Sequence, residues 1–206
     1  MRKSLLAGVL LVGIFALDGV VACAQELPAK PPRFQWTATD MAATFSMEGS
    51  QVTPAGGKGN FWLQGGSLDL GITFLHRFGW ATNLSGGHAS NLAPGVGLSV
   101  ADLMMGPRYT VRLAPKSKHE SRLFVEALAG GARGFDSVFP KPTGLDDKAA
   151  SFAWQAGGGL DISISKHLAL RAIEAEYVRS YLPNNGSNVQ DHIRLSVGIT
   201  YHSTNQ

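Results

Sequence analysis

Apolar and polar residues alternate with a period of two along most of the chain beyond residue 35. In Phe152–Ser165 (FAWQAGGGLDISIS), one set is Phe152, Trp154, Ala156, Gly158, Leu160, Ile162 and Ile164. The intervening set is Ala153, Gln155, Gly157, Gly159, Asp161, Ser163 and Ser165. That period is a β-strand with one oily and one polar face. Eight such segments are predicted: 36–48, 67–76, 80–90, 99–112, 122–133, 152–165, 168–181 and 189–202. Short connections, 76–79 and 165–167, and a longer charged one, 113–121, fall at one end. Stretches rich in Gly, Pro, Asn and Ser, at 49–66, 91–98, 134–150 and 182–188, fall at the other and read as loops. This predicts an all-β fold, an eight-stranded antiparallel up-and-down barrel.

Two environments compete for the oily face. A soluble barrel or sandwich keeps large apolar residues inside and studs its exterior with Lys, Glu and Thr. Here the polar set is mostly Gly, Ala, Ser, Thr and Gln with isolated charges, and every Lys beyond residue 24 falls outside the predicted strands. Small residues suit the tight interior of an eight-stranded barrel. The other face matches hydrocarbon. Ile193, Leu195, Val197, Ile199 and Tyr201 form an uncharged stripe about nine residues long, the span a tilted transmembrane strand needs. Trp154, Leu160 and Ile162 are likewise assigned to lipid, and Trp80, Tyr177, Tyr181 and Tyr201 to aromatic girdles at the membrane surfaces. Arg171 and Arg179 share the face of Ile173 and Tyr177, so their long side chains are expected to reach the interface.

Composition narrows the class. Charged residues are only 16% of 206, and mean hydropathy is +0.02, too low for a helical membrane bundle. No basic stripe interleaved with aromatics occurs, which argues against nucleic-acid binding. Arg2-Lys3, the apolar run 5–17 and Ala22-Cys23-Ala24 read as a signal peptide over 1–24. A Pro-rich lead-in covers 25–35, the barrel 36–202 and a short tail 203–206. Cys23 is the single cysteine; Val20-Val21-Ala22-Cys23 also resembles a lipoprotein box, which leaves lipidation open.

GPRYTVR (106–112), FAWQAGGGLDISISKHLALRAIEAEYV (152–178) and HIRLSVGITY (192–201) resemble the small eight-stranded outer-membrane β-barrels, the OmpA-like transmembrane domain and the "porin family" barrels. The resemblance spans about 36–201 and implies architecture rather than activity. It implies insertion by the barrel-assembly machinery, contact with outer-membrane lipid and lipopolysaccharide, a monomer, and both termini in the periplasm. Such barrels usually end on an aromatic residue, whereas Tyr201 is followed by five more residues.

Strand parity aims Asp69, Asp102, Arg108, Glu126, Asp161, Glu174, Glu176 and Arg194 inward. Buried charges must be paired or hydrated, so the expectation is an ion-paired plug, with a small pore as the alternative. At least one of Glu174 and Glu176 is expected to meet Arg108 or Arg194. His88-Ala89-Ser90, with Asp102 twelve residues beyond Ser90, resembles the catalytic set of lipid A deacylase barrels, in which a His would deprotonate a Ser. A hairpin centred near Pro94 would align Asp102 with Gly87 and turn it away from His88. No His or carboxylate spacing suggests a metal or cofactor site. The functional expectation is a structural or surface-interaction role, with loops as the contact surface for an unidentified ligand.

Overall fold

The computed structural model describes residues 38–52, 59–75, 77–93, 96–113, 120–184 and 188–204. The signal peptide over 1–24, Cys23 and the whole lead-in over 25–35, as well as the last two residues of the tail, lie outside them. The strands are β1 Ala38–Val52, β2 Gly59–Leu75, β3 Phe78–Ala93, β4 Val96–Leu113, β5 Ser121–Lys141, β6 Gly144–Ser163, β7 Leu168–Ser180 and β8 Gln190–Thr204. Each pairs antiparallel with the next, and β8 pairs with β1, closing the barrel. Closure pairs the edges that a flat sheet would leave open. No helix among the described residues is long and apolar enough to cross a membrane.

The burial pattern is inside out. Met41, Phe45, Leu68, Leu84, Leu103, Ile193 and Ile199 are exposed, while Arg171, Arg194 and Glu174 are at most 2% accessible. The alternation follows from the pleat, which sends successive side chains to opposite faces.

Three expectations change. First, the glycine-rich stretches 49–66 and 134–150 are mostly strand, because the ladder continues as Ser50↔Phe61 and as Gly134↔Ala149 up to Lys141↔Gly144. β5 and β6 thus extend as a hairpin past the last β4 and β7 partners, and Lys141 and Lys148 lie within strands after all. Second, the β3–β4 register shifts between Ala89 and Ala93, so Asp102 sits opposite Ser85 rather than Gly87. Third, the β7 register shifts between Arg171 and Glu174. A β-bulge adds one residue and reverses facing beyond it. Arg171 therefore points into the lumen at 1% exposure, not toward the interface.

Candidate functional site

The lumen is organised by three guanidinium groups. Arg108 (β4) donates through Nη1 and Nη2 to both Asp69 oxygens, at 2.7 and 2.6 Å, and through Nε to Glu126 at 2.6 Å. Arg171 (β7) donates to Asp161 at 3.0 Å and Glu174 at 3.0 Å, and lies 3.8 Å from Asp69. Arg194 (β8) donates to Glu48 at 2.9 Å and Asp102 at 3.0 Å, and is 3.5 Å from Glu176. Gln155 ties the last cluster together: it donates to Glu176 at 2.5 Å and accepts from Arg194 at 3.4 Å. Planar guanidinium suits this work, because its fixed fork meets two carboxylates at once.

The clusters pack on one another. The guanidinium carbons of Arg108 and Arg171 both lie over the Phe124 ring, 4.6 and 4.4 Å from its centroid. Gly159 makes room for it, since a Cβ there would come within 2.7 Å of the ring. This is the physical reason for a glycine inside AGGGLD. Nearer the chain ends, His202 meets Asp40 at 2.5 Å and Arg122 lies 3.6 Å from the same carboxylate. His192 lies 2.8 Å from Glu48.

All eight charges predicted to face inward are buried in the lumen. Glu174 and Glu176 divide between two arginines, and the partner of Glu174 is Arg171. Sequence reasoning missed Asp40, Glu48, Arg122, His192 and His202, although each shares parity with a residue already assigned inward or opposes the oily set of its strand. Arg171 carried no such signal, because a bulge is invisible to a period-two reading. Oxygens of Glu126, Glu174 and Glu176 come within 4.8 Å of one another. Guanidinium groups supply counter-charge to each, so the trio reads as part of the ionic plug.

Toward the long-loop end the lumen turns apolar. Leu63, Leu98, Val100, Leu128, Phe139 and Leu182 are buried in one cluster with Met104 and Val178. Outside, Trp154, Leu160, Ile162, Ile193, Leu195, Val197 and Ile199 sit on the outward face. Trp80 and Tyr201 are exposed toward the short-turn end and Tyr181 toward the other, where Tyr177 is half-buried. Arg179 also faces out, where it donates to Asp191 at 2.6 Å and to the Tyr177 hydroxyl at 2.9 Å.

The candidate catalytic set does not assemble. His88 and Ser90 face outward, whereas Asp102 is buried in the lumen with Arg194. His88 Nδ1 instead meets Ser99 Oγ at 2.9 Å, and Ser99 donates to Asp136 at 2.9 Å. The Ser99 proton is committed to Asp136, so the imidazole donates to the hydroxyl rather than accepting from it. A triad needs the reverse, with the acid on the imidazole. Asp136 has φ 59°, and the chain of bonds ties it down next to the shifted β5–β6 register.

At the hairpin tip, Lys141 pairs with Asp146, which also accepts from the Lys148 backbone N–H at 3.3 Å. The Lys141 ammonium pulls the Asp146 carboxyl down to about 2.

No protein-family model and no curated relative matches the chain. Solved structures do. The chain is 14% identical to Neisserial surface protein A, covering 80% of this chain and 97% of that one, with a TM-score of 0.51. Against Ail, the attachment invasion locus protein of Yersinia pestis, identity is 14%, coverage 80% and 98%, and TM-score 0.45. Against OprG of Pseudomonas aeruginosa the values are 10%, 82% and 97%, and 0.47. At these identities the likeness concerns fold alone: the chain is a closed, eight-stranded antiparallel barrel of the kind found among small outer-membrane proteins.

Proposed function

We propose that this is a monomeric outer-membrane barrel whose lumen is closed and whose outer end serves as a contact surface. The observation that carries the reading is the inversion of burial, with arginines of 1–5% exposure inside and Ile193, Val197 and Ile199 more than half exposed outside. Only a hydrocarbon surround makes that arrangement favourable, because water would penalise the oily exterior while lipid penalises any unpaired backbone. The leader at the N-terminus supports export. Closure follows from filling: ion pairs occupy one part of the lumen and apolar side chains the rest. A closed lumen leaves the outer strand ends and loops as the surface that meets other molecules.

Fractionation with surface labelling of cysteines placed at residues 143 and 184 tests location and topology. Labelling in intact cells is expected at both. A protein that stays dissolved without detergent overturns the reading. Planar-bilayer recordings test closure, and the expected result is no steady conductance.

A further inference from the structure

We infer that the lumen holds one divalent cation, calcium by size, on Glu126, Glu174 and Glu176. The inference goes beyond the surface role and rests on the interior of the barrel alone. The three carboxylates come from β5 and β7, and the ladder sets them around two glycines of β6. Gly157 stands directly between Glu126 and Glu176, and Gly159 is the direct partner of Glu174. A Cβ on Gly157 would meet the Ala175 carbonyl at 2.3 Å and Glu176 Cγ at 2.9 Å, so the space beside these acids depends on a missing side chain. One oxygen of each acid lies within 4.8 Å of one oxygen of each of the others.

The guanidinium groups leave oxygens of this trio unused. Glu126 accepts from Arg108 through Oε2, and Glu174 accepts from Arg171 through Oε1. Glu126 Oε1 and Glu174 Oε2 are buried without a hydrogen-bond partner. Ser196 lies directly opposite Glu174 on β8, is only 2% exposed, and has a hydroxyl that is likewise unpartnered. Carboxylates joined by a neutral oxygen are the donor set of a hard cation. Charge points the same way. Among the described residues, eight lumen carboxylates face four guanidinium groups and two imidazoles, so even two protonated imidazoles leave two negative charges uncompensated. Uncompensated buried charge is costly, and one divalent ion makes up that difference. Calcium binds oxygen at about 2.3–2.6 Å and magnesium at about 2.0–2.1 Å, so the wide spread of the trio favours calcium.

The test refolds the full chain from urea into detergent micelles free of lipopolysaccharide, with calcium, with magnesium, with both, or with a chelator. Folded barrel, identified by its heat-modifiable gel shift, is desalted, and its metal content is read by elemental mass spectrometry. About one calcium per barrel is expected to remain, with calcium preferred over magnesium in the mixture. Calcium is also expected to raise the urea midpoint, since an ion bound only by the folded chain stabilises it. The double variant Glu126→Gln/Glu174→Gln keeps the side-chain shapes. It is expected to hold no calcium and to show the same midpoint in calcium and in chelator. Asp191→Asn, on the outer wall, is expected to retain the ion. A folded unmodified barrel without calcium overturns the site and leaves protons to balance the lumen. Calcium undiminished in the double variant, or a midpoint of the unmodified chain that calcium does not move, overturns it too. The metal content of the unmodified chain decides even where the double variant does not fold.

Discussion

The two parts of the lumen solve one packing problem with opposite chemistry. Around Arg108, Arg171 and Arg194 the space is filled by charge; around Leu98, Phe139 and Leu182 it is filled by hydrocarbon. Among the described residues, the charged part holds eight carboxylates (Asp40, Glu48, Asp69, Asp102, Glu126, Asp161, Glu174, Glu176) against four guanidinium groups and two imidazoles. Each arginine therefore serves two or three acids and cannot be spared. The apolar part has no such dependence, and each side chain there contributes through contact alone. The difference teaches that the charged region fixes which strands face which, whereas the apolar region keeps water out of the long-loop end. Arg171 touches Asp161 on β6 and approaches Asp69 on β2, a reach across the lumen that hydrophobic packing would not specify.

Variants can break that contrast, and the charged part should give the largest effect. Arg108→Glu sets a third carboxylate beside Asp69 and Glu126, so a loss of at least about 3–5 kcal/mol is expected. Urea titration followed by the heat-modifiable gel shift measures it; an unchanged midpoint would refute the ionic account of this region. Leu128→Ala, in the apolar part, leaves a cavity and is expected to cost about 2–4 kcal/mol by the same titration. Hydrogen exchange should localise the damage to the long-loop end.

Phe124→Leu probes the seam where one ring meets two guanidinium groups. The expected loss is about 1–2 kcal/mol, from the desolvated cation–π contacts. A loss as large as that for Leu128→Ala would mean that the ring acts mainly through volume. Outside the lumen, Arg179→Ala removes a half-exposed pair with Asp191 and should change stability by under about 1 kcal/mol.

The smallest effect is local and pH-dependent. The Asp146 carboxyl is lowered in the folded chain, so its contribution to the hairpin tip is present above pH 3.8 and lost as pH falls toward 2. Exchange rates of the hairpin amides near 144–148 should rise over that window, and Lys141→Ala should move their rise to higher pH. Rates that stay flat between pH 4 and 2 would exclude the Lys141–Asp146 pair as a clasp.

Much of this architecture is legible from the chain alone, because a strand with one oily and one polar face must repeat the same two-residue choice along its whole length. That repetition exposes the eight strands, their oily faces and the inward parity of Asp69, Arg108, Glu126 and Arg194. It holds only while the register is unbroken. The shift at Arg171/Glu174 moved an arginine from wall to lumen, and the one at Ala89/Ala93 changed the partner of Asp102. Glycine-rich stretches read as loops for want of side chains, yet 134–150 pairs as a hairpin because backbone hydrogen bonds need no side chain. Which acid meets which arginine, and that Ser99 and Asp136 rather than Ser90 and Asp102 join His88, depends on residues up to 146 positions apart. Local pattern sets the face of a side chain; only closure of the barrel brings its partner within bonding distance.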